Sequence, residues 1–208
     1  INQHVLNVSP GTGGNTTGSG AYDYNSNANI SAVPDIGYNF SSWIGSGVND
    51  PFNANTTVSM TLDRNISPTF VLKDHLLIVS PGTGGSTTGS GSFPYGTDAN
   101  ITATPAAGHN FTNWIGVGVS DLNASETTVS ITQNQNISAI FSPKDFTLQV
   151  SSSTGGSAFG DGNYSYGTHA IITATPDSGY YFSGWNDNGV INALSPSTAV
   201  SIWSDVNV

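Results

Sequence analysis

The chain contains no cysteine and very few cationic residues, and both absences restrict what it can do. Without cysteine it has no disulfide bonds, thiolate nucleophiles or zinc–thiolate sites. Lysine and arginine together number only 3 among 208 residues. Nucleic acids and anionic lipid surfaces are bound through clustered cationic side chains, so we expect neither as a partner. No apolar run approaches the ~18–20 residues that cross a bilayer, so we expect no membrane insertion.

Charged residues of either sign are also scarce, at 8% of the chain, and the net charge is −10. Serine, threonine, asparagine and glycine instead make up close to half of the sequence. Hydrophobic residues reach 36% and aromatic residues 10%, more than is typical of a disordered segment. A polar, weakly charged composition with regularly placed aromatic residues indicates an all-β protein that is extracellular or on the cell surface.

The sequence repeats every 71 residues without insertion or deletion. Recurring positions are occupied by Trp43, Trp114 and Trp185, by Phe40, Phe111 and Phe182, by Pro34, Pro105 and Pro176, and by Gly37, Gly108 and Gly179. We therefore expect three tandem modules of 71 residues, at 1–74, 75–145 and 146–208. The Trp and Phe residues of this set are the expected anchors of a core that each module builds for itself.

The third module is shorter than the other two. Val208 aligns with Ile66 and Ile137, so this module stops inside its last expected strand. Two explanations fit this pattern. The sequence is a window of a longer array, or a neighbouring molecule supplies the missing strand.

Each module is expected to consist of short strands, because apolar and polar residues alternate over most of its length. Leu6 and Val8 alternate with Asn7, for example, and the same pattern returns in the other two copies. The glycine-rich stretches at 13–20 and 84–91 are expected to form hairpins, since glycine reaches the positive φ that tight turns require. No stretch of ten or more residues has a helical period.

A family resemblance follows from the order of the short motifs. The second copy contains Gly84-Gly85, Tyr95-Gly96, Ala103-Thr104-Pro105, Gly108-His109-Asn110-Phe111 and Trp114. This order resembles the divergent internalin-type B-repeats of bacterial and archaeal surface proteins, and the resemblance covers essentially the whole chain. It implies small β-grasp-like or sandwich-like modules that act as spacers, stalks or adhesive segments, with no catalytic residue. Asn25 replaces the glycine of the other copies, and asparagine tolerates the left-handed turn conformation.

The sequence offers little for catalysis. Glu126 is the only glutamate, no aspartate recurs in all three copies, and the four histidines are scattered, at His4, His75, His109 and His169. A paired-carboxylate site needs two groups at a set distance, and the repeat does not require one. We expect the protein not to be an enzyme.

Oxygen-rich turns are the candidates for weak calcium binding. They are Asp161-Gly162-Asn163 and Asp187-Asn188-Gly189, with Asp74 and Asp145 at the junctions. Calcium prefers six to eight oxygen ligands, and these turns offer one or two charges each. Turn formation by aspartate and asparagine explains them as well, so we expect no metal ion and no cofactor.

Asn-x-Ser/Thr triplets are more frequent than the composition alone produces. They begin at Asn7, Asn15, Asn29, Asn39, Asn55, Asn65, Asn100, Asn110, Asn123, Asn136 and Asn163. We expect several to carry glycans if the source organism glycosylates asparagine. Possible sugar-stacking residues are Tyr22, Phe93 and Tyr164, which follow the glycine-rich stretches and are expected to be exposed.

These observations favour a non-catalytic, extracellular structural protein. It is expected to be a cell-surface stalk or spacer, or the subunit of a filament, sheath or surface layer. The expected partners are further copies or neighbouring repeats, which would pair through strand edges, and possible glycans. The alternative is a carbohydrate-binding or adhesive module of a secreted protein.

Overall fold

The computed structural model describes residues 2–186 and 189–208, and that part of the chain contains strands and no helix. The expected all-β class is confirmed.

The first copy has seven strands: β1 Gln3–Val8, β2 Gly14–Thr17, β3 Gly20–Asp23, β4 Ser26–Pro34, β5 Tyr38–Ile44, β6 Asn55–Met60 and β7 Arg64–Leu72. The second has β8 Asp74–Ser80, β9 Gly85–Thr88, β10 Gly91–Pro94, β11 Asp98–Pro105, β12 His109–Ile115, β13 Glu126–Ser130 and β14 Gln135–Pro143. The third has β15 Asp145–Gln149, β16 Gly156–Phe159, β17 Gly162–Ser165, β18 His169–Pro176, β19 Ser197–Ser201 and β20 Val206–Asn207.

Each copy folds its strands into two sheets. In the first copy the strand orders are β3-β1-β7-β5 and β2-β4-β6. Strands β1 and β7 run parallel, and the other paired neighbours run antiparallel. The second copy repeats these orders as β10-β8-β14-β12 and β13-β11-β9, and the third as β17-β15-β20 and β16-β18-β19.

In the first and in the third copy, the two sheets enclose one core. In the first copy Leu6 and Ile66 from one sheet lie in the same buried cluster as Ile30 and Val58 from the other. Leu148, Ile172, Trp185 and Val200 belong to the corresponding cluster of the third copy. Of the two expected arrangements, the sandwich-like one describes these modules, because two sheets enclose the core and the described residues include no helix.

The expected hairpin in the glycine-rich stretch is wrong. Strands β2 and β3 are neighbours in sequence, but β2 pairs with β4 and β3 pairs with β1, so the chain changes sheet between them. Gly18 makes this change possible with a φ of 116°. A Cβ at Gly18 would lie 2.5 Å from the carbonyl oxygen of Asn29, so a side chain is excluded where the connection passes over β4.

Among the residues that the structure describes, the third copy has six strands, whereas each of the other two has seven. In the first copy β5 pairs with the second half of β7, from Tyr38↔Leu72 to Ile44↔Ser67. The corresponding segment Tyr180–Trp185 is not a strand, and β20 ends at Asn207, before the positions that pair with β5 in the first copy.

By internal contacts, the chain divides into two compact units. One comprises Ile1–Ile78, Ser90–Ala99 and Val129–Gln135, and the other comprises Val79–Gly89, Asn100–Thr128 and Asn136–Val208. The division runs through the second copy. The junction between the first and second copies therefore lies within the first unit, and the junction between the second and third lies within the second unit.

Candidate interaction surface at the repeat junctions

The recurring tryptophans have the same surroundings in all three copies. Trp43, Trp114 and Trp185 are 4%, 1% and 8% exposed. Their indole Nε1–H groups donate to the backbone oxygens of Asn53, Ala124 and Ser195, at 3.0, 2.9 and 2.9 Å. Phe40, Phe111 and Phe182 lie against them with ring centroids 5.6, 5.4 and 5.4 Å apart. Burial and a satisfied N–H make these rings structural anchors rather than open platforms for a ligand.

The junction between the first and second copies is a specific contact rather than a loose tether. Only Lys73 separates β7 from β8. The Lys73 N–H donates to the oxygen of Gly37, and the Lys73 oxygen accepts from the N–H of Tyr95, both at 2.8 Å. Gly37 is buried, and a Cβ there would overlap the ring of Tyr95. We call this pairing of a tyrosine from one copy with a glycine turn of the preceding copy the tyrosine–glycine joint.

The same joint forms between the second and third copies. Lys144 donates its N–H to the oxygen of Gly108 and accepts from the N–H of Tyr166, again at 2.8 Å. The ring of Tyr166 occupies the space where a Cβ of Gly108 would lie, and it meets His109 with ring centroids 5.8 Å apart. The tyrosine and the glycine recur in the sequence, but their recurrence does not indicate that the two residues touch.

A cleft of about 110 Å³ opens in the third copy beside the segment Tyr180–Trp185. In the first two copies the rings of Phe70 and Phe141 lie over Gly14 and Gly85. At the equivalent Gly156, which lines this cleft, the atoms nearest to an added Cβ belong to the backbone of Thr175 and Pro176.

The expected sugar-stacking residues are not exposed platforms, and that expectation is wrong. Tyr22, Phe93 and Tyr164 are half-buried. Tyr22 and Tyr164 pack against the cores of their copies, and their hydroxyl groups donate to the oxygens of Gly18 and Gly160. Their alternation within β3 and β17 turns them inward, which the glycine-rich context did not reveal.

All eleven asparagines of the Asn-x-Ser/Thr triplets are exposed: Asn7, Asn15, Asn29, Asn39, Asn55, Asn65, Asn100, Asn110, Asn123, Asn136 and Asn163. At Asn39 and Asn110 the middle phenylalanine is half-buried while the asparagine and the hydroxyl residue face outward. Exposure is the steric requirement for modification, so glycosylation at these positions stays a prediction.

The candidate calcium turns have other roles where the structure describes them. The Asp161 carboxylate accepts from the N–H of Val150 at 2.6 Å, and Asp145 accepts from the hydroxyl of Ser165 at 2.7 Å. Asp187 and Asn188 lie outside the described residues. In the described part, no three residues of the types His, Cys, Asp or Glu come together in a way that could hold a metal ion. Nor does that part include a helix long and apolar enough to cross a membrane.

One carboxylate has a shifted pKa. A hydrogen bond from the N–H of Val5, at 2.9 Å, and one from the ring of His4, at 3.2 Å, hold the pKa of Asp63 below its ordinary value of 3.8. The second copy has Asn134 at this position, and its side-chain oxygen accepts from the N–H of Leu76 at 2.9 Å. The hydrogen bond is therefore compatible with a neutral side chain.

Replacing Asp63 by asparagine is expected to reduce the acid sensitivity of the first copy. A lowered folded-state pKa contributes stability above the unfolded-state value and loses it as pH falls through the folded-state value. Urea unfolding at pH 7 and at pH 3 measures this difference. The wild type should lose more stability between these pH values than Asp63→Asn, and equal losses would contradict the prediction.

Comparison with known proteins identifies a family of repeats. The sequence profile of the divergent InlB B-repeat domain matches three times, over residues 4–74, 75–145 and 146–208. No curated protein matches the chain. The family is typically associated with cell-surface proteins, and it suggests a surface-associated repeat domain. Because these matches cover nearly the whole sequence in three successive copies, the chain belongs to the divergent InlB B-repeat family.

Proposed function

We propose that the chain is a non-catalytic, extracellular structural array that holds consecutive repeats at a fixed spacing, as a stalk or spacer at a cell surface. The observation that carries this proposal is the tyrosine–glycine joint, which occurs twice with the same backbone hydrogen bonds. A spacer needs a junction that repeats its geometry, because each added repeat then extends the array by the same step.

The junctions support a stiff connection within each compact unit. A flexible tether would be rich in glycine and serine and would leave its backbone solvated. Here a single lysine links two strands, and its backbone is bonded on both sides, to Gly37 and Tyr95 in the first junction. The ring contact adds apolar burial, which the screening of charges by salt does not weaken.

The low charge of the chain supports the same role. Interactions between exposed charges weaken as ionic strength rises, and this surface has few of them. Repeats of this kind can also lie side by side with little electrostatic repulsion. We therefore expect the spacing of the repeats to be nearly independent of ionic strength.

Residual dipolar couplings test this proposal directly. The first and second copies should share one alignment tensor, as should the second and third, and both results should persist between about 50 mM and 1 M salt. Independent tensors for consecutive copies would overturn the proposal, because they would show a flexible string of modules.

A further inference from the structure

We propose that the repeat is built to bear tension along the chain, because the first and last strands of a copy lie side by side and run parallel. A pulling force must then slide one strand past the other and break the bonds between them together. This inference deepens the proposed function and rests on it for the load, since a stalk that presents something at a surface also transmits force.

The parallel pairing connects two inner strands of the larger sheet in the first copy. Strands β1 and β7 pair over three positions, from Leu6↔Arg64 to Val8↔Ile66. The strand order is β3-β1-β7-β5, so each of the two has a further neighbour on its other side. Leu6, Val8 and Ile66 are 1%, 6% and 2% exposed, so their side chains shield the pairing from water on the core side. Hydrogen bonds in such surroundings are stronger than hydrogen bonds in water.

Two further hydrogen bonds extend this contact at its ends. The Val5 N–H donates to the Asp63 carboxylate at 2.9 Å, before the first residue pair. The Ser9 N–H donates to the oxygen of Ile66 at 2.9 Å, after the last pair. We call the whole contact, between residues 5–9 and residues 63–66, the end clamp.

Features of the end clamp recur in the other two copies. In the third copy β15 and β20 also run parallel, and the Ser151 N–H donates to the oxygen of Val208 at 2.6 Å, which is the equivalent of the Ser9 bond. In the second copy β8 and β14 are neighbours, and the Leu76 N–H donates to the side-chain oxygen of Asn134 at 2.9 Å. Resistance to tension is therefore a property of the repeat and not of one copy.

Tension along the chain loads the end clamp in shear. The force enters a copy at the start of its first strand and leaves it at the end of its last strand. In a parallel pair these two points lie at opposite ends of the contact, so the evenly spaced hydrogen bonds share the load. Only Lys73 separates β7 from β8, so the force passes into the first strand of the next copy without a slack linker.

Single-molecule force spectroscopy of the whole chain in two geometries tests the proposal. The chain contains no cysteine, so two introduced cysteines define the points of attachment. Asn2→Cys with Leu72→Cys pulls along the end clamp, whereas Asn2→Cys with Leu62→Cys separates the starts of β1 and β7 and peels the clamp open one bond at a time. All three positions are exposed, so the core stays intact. Three residue pairs share the load in the first geometry, so its rupture force should be about threefold higher.

A backbone variant tests whether the clamp itself sets this force. Ser9→Pro removes the N–H that bonds to Ile66, and Ser9→Ala is its matched control because it keeps that N–H. Val8 lies in a strand, which is the conformation that a residue before proline prefers. The shear force should be lower in Ser9→Pro than in Ser9→Ala. The peeling force should be equal in the two variants, because peeling begins at the other end of the clamp, and circular dichroism checks that both variants are folded.

Two outcomes would overturn the proposal. Equal rupture forces in the two geometries would show that the parallel arrangement adds no resistance. An equal reduction of both forces in Ser9→Pro would show that a general loss of stability, and not the end clamp, sets the force. The test is independent of the residual dipolar couplings: equal forces in a chain whose consecutive copies share one alignment tensor refute this inference alone, whereas a high shear force in a flexible string of modules refutes the proposed function alone.

Discussion

Replacing Trp43 by alanine is expected to lower the free energy of unfolding of the first copy by about 3–5 kcal/mol. The indole is 4% exposed and lies in the cluster where both sheets meet, so its removal leaves a cavity as well as a loss of apolar burial. The loss is a large part of the stability of a 71-residue module, because a module of this size buries a small core. The first copy should therefore unfold well before the other two.

Chemical unfolding followed by amide hydrogen exchange measures this effect copy by copy. Trp43→Phe separates the two contributions, since it keeps an aromatic ring but leaves the oxygen of Asn53 without its donor, at a cost of about 1–3 kcal/mol. Phe52→Ala, at a ring that is 78% exposed, should change the stability by less than about 0.5 kcal/mol. An equal loss in Trp43→Ala and Phe52→Ala would refute the role of the tryptophan as a core anchor.

Much of the architecture can be predicted from the sequence, because the same residues recur every 71 positions. The period, the strand positions and the all-β class all follow from recurring residues and from alternation. Asn25 is a further case, since its φ of 65° confirms that asparagine keeps the turn that Gly96 and Gly167 form with φ of 79° and 80°. These features are local, so short windows of sequence contain the information that determines them.

A β-bulge in the aromatic strand was not evident from alternation. Phe40 and Trp43 both face the core, yet a regular strand places residues three apart on opposite faces. The pairing of β5 with β7 shifts register between Phe40 and Ser42, and β12 shifts likewise between Phe111 and Asn113. One extra residue in the strand therefore turns the tryptophan inward. The prediction of a hairpin was wrong for a related reason. Strands β2 and β3 are adjacent in sequence, but they belong to different sheets and pair with β4 and β1.

The joints were also beyond prediction from one sequence. Tyr95 and Gly37 lie in different copies, and no periodic pattern states that residues so far apart touch. The recurrence of each residue can be explained within a single module. Glycine is favoured in a turn with φ of 85°, and tyrosine is suited to a half-buried strand end. Only the placement of consecutive copies shows that the tyrosine covers the glycine.

Replacing Gly37 by alanine is expected to open the first joint, and Gly179→Ala is its matched control. Both glycines have φ near 85°. Placing alanine in this left-handed backbone conformation costs about 1–2 kcal/mol, and the cost is the same at either position. A Cβ at Gly37 also overlaps the ring of Tyr95, whereas a Cβ at Gly179 meets nothing within 4 Å. The overlap should cost a further amount of about 1–3 kcal/mol, so the difference between the variants isolates the joint.

Hydrogen exchange of the Lys73 amide reports the opening of this joint, because that N–H donates to the oxygen of Gly37 at 2.8 Å. Exchange should accelerate in Gly37→Ala and stay unchanged in Gly179→Ala. Adding Tyr95→Ala to Gly37→Ala removes the ring that the new methyl group meets, so the combined loss should be smaller than the sum of the two single losses. Strict additivity of the two substitutions would mean that the ring and the glycine do not meet, and the fixed spacing of the repeats would then need another cause.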